Sequence, residues 1–182
     1  MPTHLDLEVM QAKHQLAQLK LTEELVNRDT PPTRVQQLWF DQKISQEQLR
    51  RWLTLWWWRV KPGNYALPRE QWIELFRAAG YAVNGEAAVP PERVTLFRGA
   101  GEDDRWGWWW TEDPRVAMDY RCRVWGRSVW ITQAPGSALL AHRNKSKDKV
   151  VSPLSPRRLD QHHQLNEYIV DTSELKILRT TL

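Results

Sequence analysis

The hydrophobic period changes once along this chain, near Val94, and that change limits the folds open to it. Before it, apolar residues recur every three to four positions. After it, they come in short runs of four to eight, rich in Val, Ile and Trp. The spacing therefore predicts helices over the first half and strands over the second, joined by a linker at 86–92 that holds Pro90 and Pro91. Few helices among many short strands predict an α+β fold with an antiparallel or mixed sheet. The expected division is a helical region at 1–89 and a strand-rich region at 90–182.

Capping residues place the helices. Thr3 and Asp6 open a first helix over about 4–28, whose Leu5, Val9, Ala12, Leu16, Leu19 and Val26 form a coiled-coil-like stripe. That stripe packs on the rest of the chain or docks a partner protein. Thr30-Pro31-Pro32 starts a short helix, and Ser45 with Gln48 makes a capping box for the next. Pro68 starts a fourth, with Gly80 as its C-terminal cap. In the second half, strands are predicted at 93–98, 106–111, 128–133, 137–142, 148–152, 167–171 and 174–180. One helix interrupts them, with Asp113 as N-cap and Pro114 as first residue.

Charge and cysteine usage narrow the chemistry. The net charge is +4, and residues 142–164 alone carry +4, from Arg143, Lys145, Lys147, Lys149, Arg157 and Arg158 against Asp148 and Asp160. A basic segment of this kind points to an anionic partner. The single cysteine, Cys122, excludes an internal disulfide framework and a cysteine-built zinc site. No cleavable leader is evident, no apolar run is long enough to span a bilayer, and a cytoplasmic setting is expected. His162 and His163 are adjacent and His4 and His14 lack ligand spacing, so no metal site is expected. Neither GxGxxG nor GxxxxGK[ST] occurs, which leaves the Rossmann and P-loop modes unsupported.

Three strand-like segments each carry a polar residue that a buried strand does not need. Arg98 ends Val94-Thr95-Leu96-Phe97 and precedes Gly99, which lets a ligand approach the backbone. Its planar fork of donors suits phosphate oxygens. Thr111 ends Trp108-Trp109-Trp110, and Glu167 begins Tyr168-Ile169-Val170. A cation, a hydroxyl and a carboxylate on three strands suit a ligand with phosphates, ribose hydroxyls and a carbocation-like transition state. The chain holds 12 tryptophans, and those left out of the core offer flat faces for a nicotinamide, an adenine or an unpaired base.

In order and spacing these segments resemble the Arg-Ser/Thr-Glu class of ADP-ribosyltransferases, including bacterial toxins; the likeness covers roughly 94–180. It rests on Leu96-Phe97-Arg98-Gly99, Trp110-Thr111 and Glu167-Tyr168-Ile169-Val170-Asp171, with Asp113-Pro114-Arg115-Val116-Ala117 also similar. The resemblance implies a split sheet with a cleft between two small sheets, and NAD⁺ as co-substrate. It implies Glu167, Arg98 and Thr111 as catalytic residues, and Arg98, Gly99, Trp110 and Thr111 as cofactor-binding. The middle motif keeps one hydroxyl where the family often has two. Leu165 stands two residues before Glu167, where members that modify arginine carry Glu or Gln, which disfavours an arginine acceptor. The basic loop before the last motif, with Arg157, Arg158, His162 and His163, is expected to bind the acceptor; RNA or DNA is favoured over protein.

The expected activity is mono-ADP-ribosylation of a macromolecule, as by a toxin or phage-defence effector, with an antitoxin or other protein on the N-terminal helices. Two alternatives stay open: an NAD⁺ glycohydrolase on the same scaffold, and a non-enzymatic module that binds single-stranded nucleic acid.

Overall fold

A computed structural model describes residues 26–27, 29–57, 66–122, 128–145 and 165–180, with Met10 and Lys13. The predicted first helix (4–28) and the predicted strand at 148–152 lie largely or wholly outside the described residues. The chain divides into two compact units, 1–79 and 80–182. The observed boundary is thus at Gly80 rather than residue 90.

The first unit holds three described helices, α1 (Pro32–Phe40), α2 (Gln46–Trp57) and α3 (Arg69–Ala79). The predicted caps of α2 and α3 form. Gln48 N donates to Ser45 Oγ at 3.2 Å, and Ser45 N donates to Gln48 Oε1 at 2.7 Å. Gly80 ends α3 at φ 76°, a conformation that favours glycine. Helical spacing then decides the core. Leu49, Trp52, Leu53 and Trp57 of α2 are buried, as are Trp72, Leu75, Phe76 and Ala79 of α3. Trp52 and Trp56, one turn apart, stack at 5.5 Å, and Trp56 stacks on Trp72 at 4.8 Å. Two side chains of α2 satisfy the last carbonyls of α3: Gln46 Nε2 donates to Ala78 O and Arg50 Nε to Ala79 O.

The described residues of the second unit form an eight-stranded sheet with one α-helix. The strands are β1 (Ala82–Val83), β2 (Glu86–Ala87), β3 (Arg93–Ala100), β4 (Trp109–Thr111), β5 (Ser128–Pro135), β6 (Leu139–Lys145), β7 (Leu165–Val170) and β8 (Leu178–Thr180). They lie in the order β2-β1-β6-β7-β4-β3-β5-β8. Only β1 and β6 run parallel; the other neighbours are antiparallel. The fold class is therefore α+β with a mixed sheet.

Two expectations need correction. Residues 81–89 were expected to finish the helical region and begin the linker, yet they open the sheet. Asn84 (φ 53°) and Gly85 (φ 92°) are both left-handed, which is what a two-residue hairpin turn needs. Second, the described strands form one sheet, not two small ones. The join is narrow, however: β3 and β4 meet through the single pair Phe97–Thr111, whereas all three residues of β4 pair with β7. The strand expected over 106–111 begins only at Trp109, because Trp106 closes a 3-10 turn that starts at Asp103.

Alternation sorts the sheet into faces. Leu96, Ala100, Trp110, Trp130, Tyr168 and Val170 meet in one core cluster, and Trp130 Nε1 donates to Ala100 O at 3.0 Å. The helix α4 (Pro114–Cys122) packs against β3 and β5.

Candidate active site

The three strands that carry the sequence-predicted residues are neighbours, in the order β7-β4-β3. Their register makes a row across four strands: Arg143 opposite Glu167, Glu167 opposite Thr111, and Thr111 opposite Phe97. Directly paired residues share a face, so Thr111 and Glu167 stand side by side. Glu167 is half-buried at the start of β7, with the cation of Arg143 beside it. Burial pulls the Arg143 pKa down, and the charge of Glu167 opposes that shift.

Thr111 is buried, and its Oγ1 accepts the Asp113 amide at 3.1 Å. Asp113 Oδ1 in turn accepts the Arg115 amide at 2.9 Å and so starts α4, as its sequence predicts. The hydroxyl beside Glu167 is thereby fixed by the strand-to-helix turn.

Arg98 follows Phe97, so alternation sends it to the other face from Thr111 and Glu167. Its Nε donates to Asp104 O at 3.0 Å and its Nη1 to Trp109 O at 2.7 Å. The guanidinium thus ties the loop between β3 and β4 to the end of β3. It lies against Gly107, where an added Cβ would come 2.2 Å from Nη2. Gly99 sits within β3 opposite Val129.

Trp110 differs from its expected place. It is 1% exposed, paired with Tyr168 in the core, and its Nε1 donates to Gly107 O at 2.9 Å. Its ring faces are used by packing and offer nothing to a cofactor. Among the described tryptophans of this unit, Trp106 is the most exposed, with Arg105 5.1 Å over its ring. Arg157, Arg158, His162 and His163 lie outside the described residues. Among the described residues no group of three His, Cys, Asp or Glu side chains is placed to hold a metal ion. No described helix is long and apolar enough to cross a membrane.

A polar network that the sequence reading missed occupies the face opposite Glu167. The Glu112 carboxylate accepts the Tyr168 hydroxyl at 3.0 Å and the Asn166 amide Nδ2. Because Asn166 donates through Nδ2, its Oδ1 is the acceptor for His142, whose Nε2 carries the proton. The His142 ring stacks flat on Tyr168, with centroids 4.0 Å apart. Burial first, then the bond to Glu112, pushes the Tyr168 phenol well above its usual range. Burial and the nearby Glu112 charge push Tyr81 up to about 12. Glu112, Asp113, Pro114, Arg115 and Asn166 line a shallow groove beside this network. Alternation was the available signal: Glu112 shares a face with Trp110, and Asn166 with Tyr168. Their meeting depends on the β4–β7 register, which local sequence does not carry.

No family model, curated protein or solved structure matches the chain.

Proposed function

We propose that this chain is an NAD⁺-dependent mono-ADP-ribosyltransferase of the Arg-Ser/Thr-Glu kind, acting as a toxin or phage-defence effector on a nucleic-acid acceptor. The observation that carries this reading is the pairing of Thr111 with Glu167 on adjacent strands, with the Arg98 strand next in order. Cleavage of the nicotinamide–ribose bond builds positive charge at the anomeric carbon. A fixed carboxylate stabilises that charge and accepts the ribose 2′-hydroxyl. Glu167 takes this role, oriented by the Thr111 hydroxyl across the strand pair and by the Arg143 cation on the other side. Arg98 stands on the opposite face of the sheet from Glu167, and its part is to hold the loop between β3 and β4 through the carbonyls of Asp104 and Trp109. The basic segment 142–163 recognises the acceptor through phosphate contacts.

The test is nicotinamide release from NAD⁺ by the purified chain, alone and with RNA, DNA or cell lysate. Release that RNA or DNA stimulates, with label transferred to the polymer, supports the transferase. Release that no acceptor changes assigns the glycohydrolase. Absence of release in every mixture refutes NAD⁺ chemistry and leaves the binding module.

A further inference from the structure

The charge and hydrogen bonding around Glu112 point to a cation site: we infer that the groove beside β4 and β7 binds a guanidinium group, the head of an arginine side chain. Glu112, Asp113 and Arg115 are the charged residues that line it, with Pro114 and Asn166. Asp113 and Arg115 satisfy each other. Arg115 Nε donates to Asp113 Oδ1 and Nη2 to Oδ2, both at 3.1 Å, and Oδ1 also accepts the Arg115 amide and so caps α4. Two carboxylates against one guanidinium leave the groove at −1, and that remainder sits on Glu112. Its reach shows at two phenols: burial first, and then Glu112, raise both Tyr81 and Tyr168 above their ordinary range.

Hydrogen bonding then selects the kind of cation. A carboxylate offers about four lone-pair positions. Tyr168 fills one on Oε1 and Asn166 one on Oε2. One position per oxygen is left, which matches the two parallel N–H donors of a guanidinium. The carboxylate is also oriented in advance, so little is spent in ordering it. His142 fixes Asn166 from its far side, and its ring covers the buried Tyr168. Glu112 itself is exposed, so a ligand can reach it. An ammonium brings the charge without the planar fork. A neutral donor edge brings the fork and leaves the charge standing, and a phosphate beside it is repelled. A guanidinium meets both conditions. The groove lies on the face opposite Glu167, so this site is separate from the proposed chemistry and does not rest on it.

The experiment measures binding without NAD⁺. N-acetyl-arginine amide and its lysine and citrulline counterparts are titrated into the full chain, with chemical shifts or heat as readout. Lysine keeps the charge and loses the fork; citrulline keeps a planar pair of donors and loses the charge. The arginine probe is expected to bind about tenfold or more tightly than either, the scale of one hydrogen bond to a charged group. Glu112→Gln is expected to remove that preference while its thermal unfolding stays near wild type. Should Glu112→Gln unfold, Arg115→Ala is the second variant. It removes a cation from the groove and should tighten the arginine probe by about threefold, the scale of one solvent-exposed charge. Free arginine separates two sources of the group: tighter binding of the amide assigns it to a polypeptide, and tighter binding of free arginine to the amino acid itself. Equal binding of the three probes by wild type, a preference that survives in Glu112→Gln, or weaker binding to Arg115→Ala overturns the inference. Tighter binding of GMP than of the arginine probe overturns it in favour of a base.

Discussion

Gly107 decides where the Arg98 guanidinium can lie. Its φ of −66° suits any residue, so Gly107→Ala adds no backbone strain. The new methyl instead occupies the guanidinium's place, 2.2 Å from Nη2, and displaces it from the carbonyls of Asp104 and Trp109. Loss of two hydrogen bonds predicts a stability cost of about 1–3 kcal/mol in a denaturant titration. The same variant should lower nicotinamide release as much as Arg98→Lys does. Normal release from Gly107→Ala would mean that the Arg98 pose does not matter to the reaction. Two phenols, the buried Tyr168 and the partly buried Tyr81, give a second prediction at this scale. Tyr81 keeps its proton to about pH 12, and Tyr168 is also raised. An unfolded chain releases these protons near 10.0, the ordinary value of a phenol. The folded state therefore holds more protons between about pH 10 and 12, and stability falls as pH rises through that window. Below it the contribution is complete. Thermal unfolding followed across this range should show a shallower decline in Tyr81→Phe; an identical decline would contradict the shift.

At the level of elements, two junctions hold the second unit. The β1–β2 hairpin is tied to β6 by Asn84, whose Nδ2 donates to Asn144 O at 2.8 Å while its Oδ1 accepts the Asn144 amide at 3.0 Å. Asn84→Ala loses both bonds and a residue suited to φ 53°, which predicts a cost of about 2 kcal/mol and faster amide exchange in β1. Unchanged exchange there would remove Asn84 as the tie. At the other junction, Asp113→Ala removes the α4 cap and should cost about 1 kcal/mol by chemical denaturation. These junctions also show what the sequence can and cannot carry. Ser45 with Gln48, Asp113 with Pro114, and Gly80 act within one helical turn, so residue types alone reveal them. Asn84-Gly85 is a strong local turn signal, but its flanking strands are two residues each, too short to display a period. Glu112 and Tyr168 lie 56 residues apart, and only the register of β4 on β7 brings them together. The strand adjacency behind Thr111 and Glu167 was legible through motif order. The burial of Trp110 was not, since a strand tryptophan can face core or ligand equally well.

For the whole molecule, the helical unit and the sheet unit each have their own core, and the proposed chemistry lies wholly in the second. The surplus of positive charge in 142–164 belongs to the acceptor side of the account. Reversal of Arg157 and Arg158 to Glu should leave basal nicotinamide release intact and weaken modification of the acceptor. Binding to single strands should then lose part of its salt dependence, by about 0.7 in slope for each phosphate contact removed. Equal loss of both activities would assign these arginines to the cofactor or the fold. The central claim, that Glu167 stabilises positive charge on the ribose of NAD⁺, is tested most directly by nicotinamide release from Glu167→Gln. This variant keeps shape and removes charge. The account predicts a fall in turnover of roughly 10²-fold or more with NAD⁺ affinity changed far less; turnover equal to wild type would contradict it.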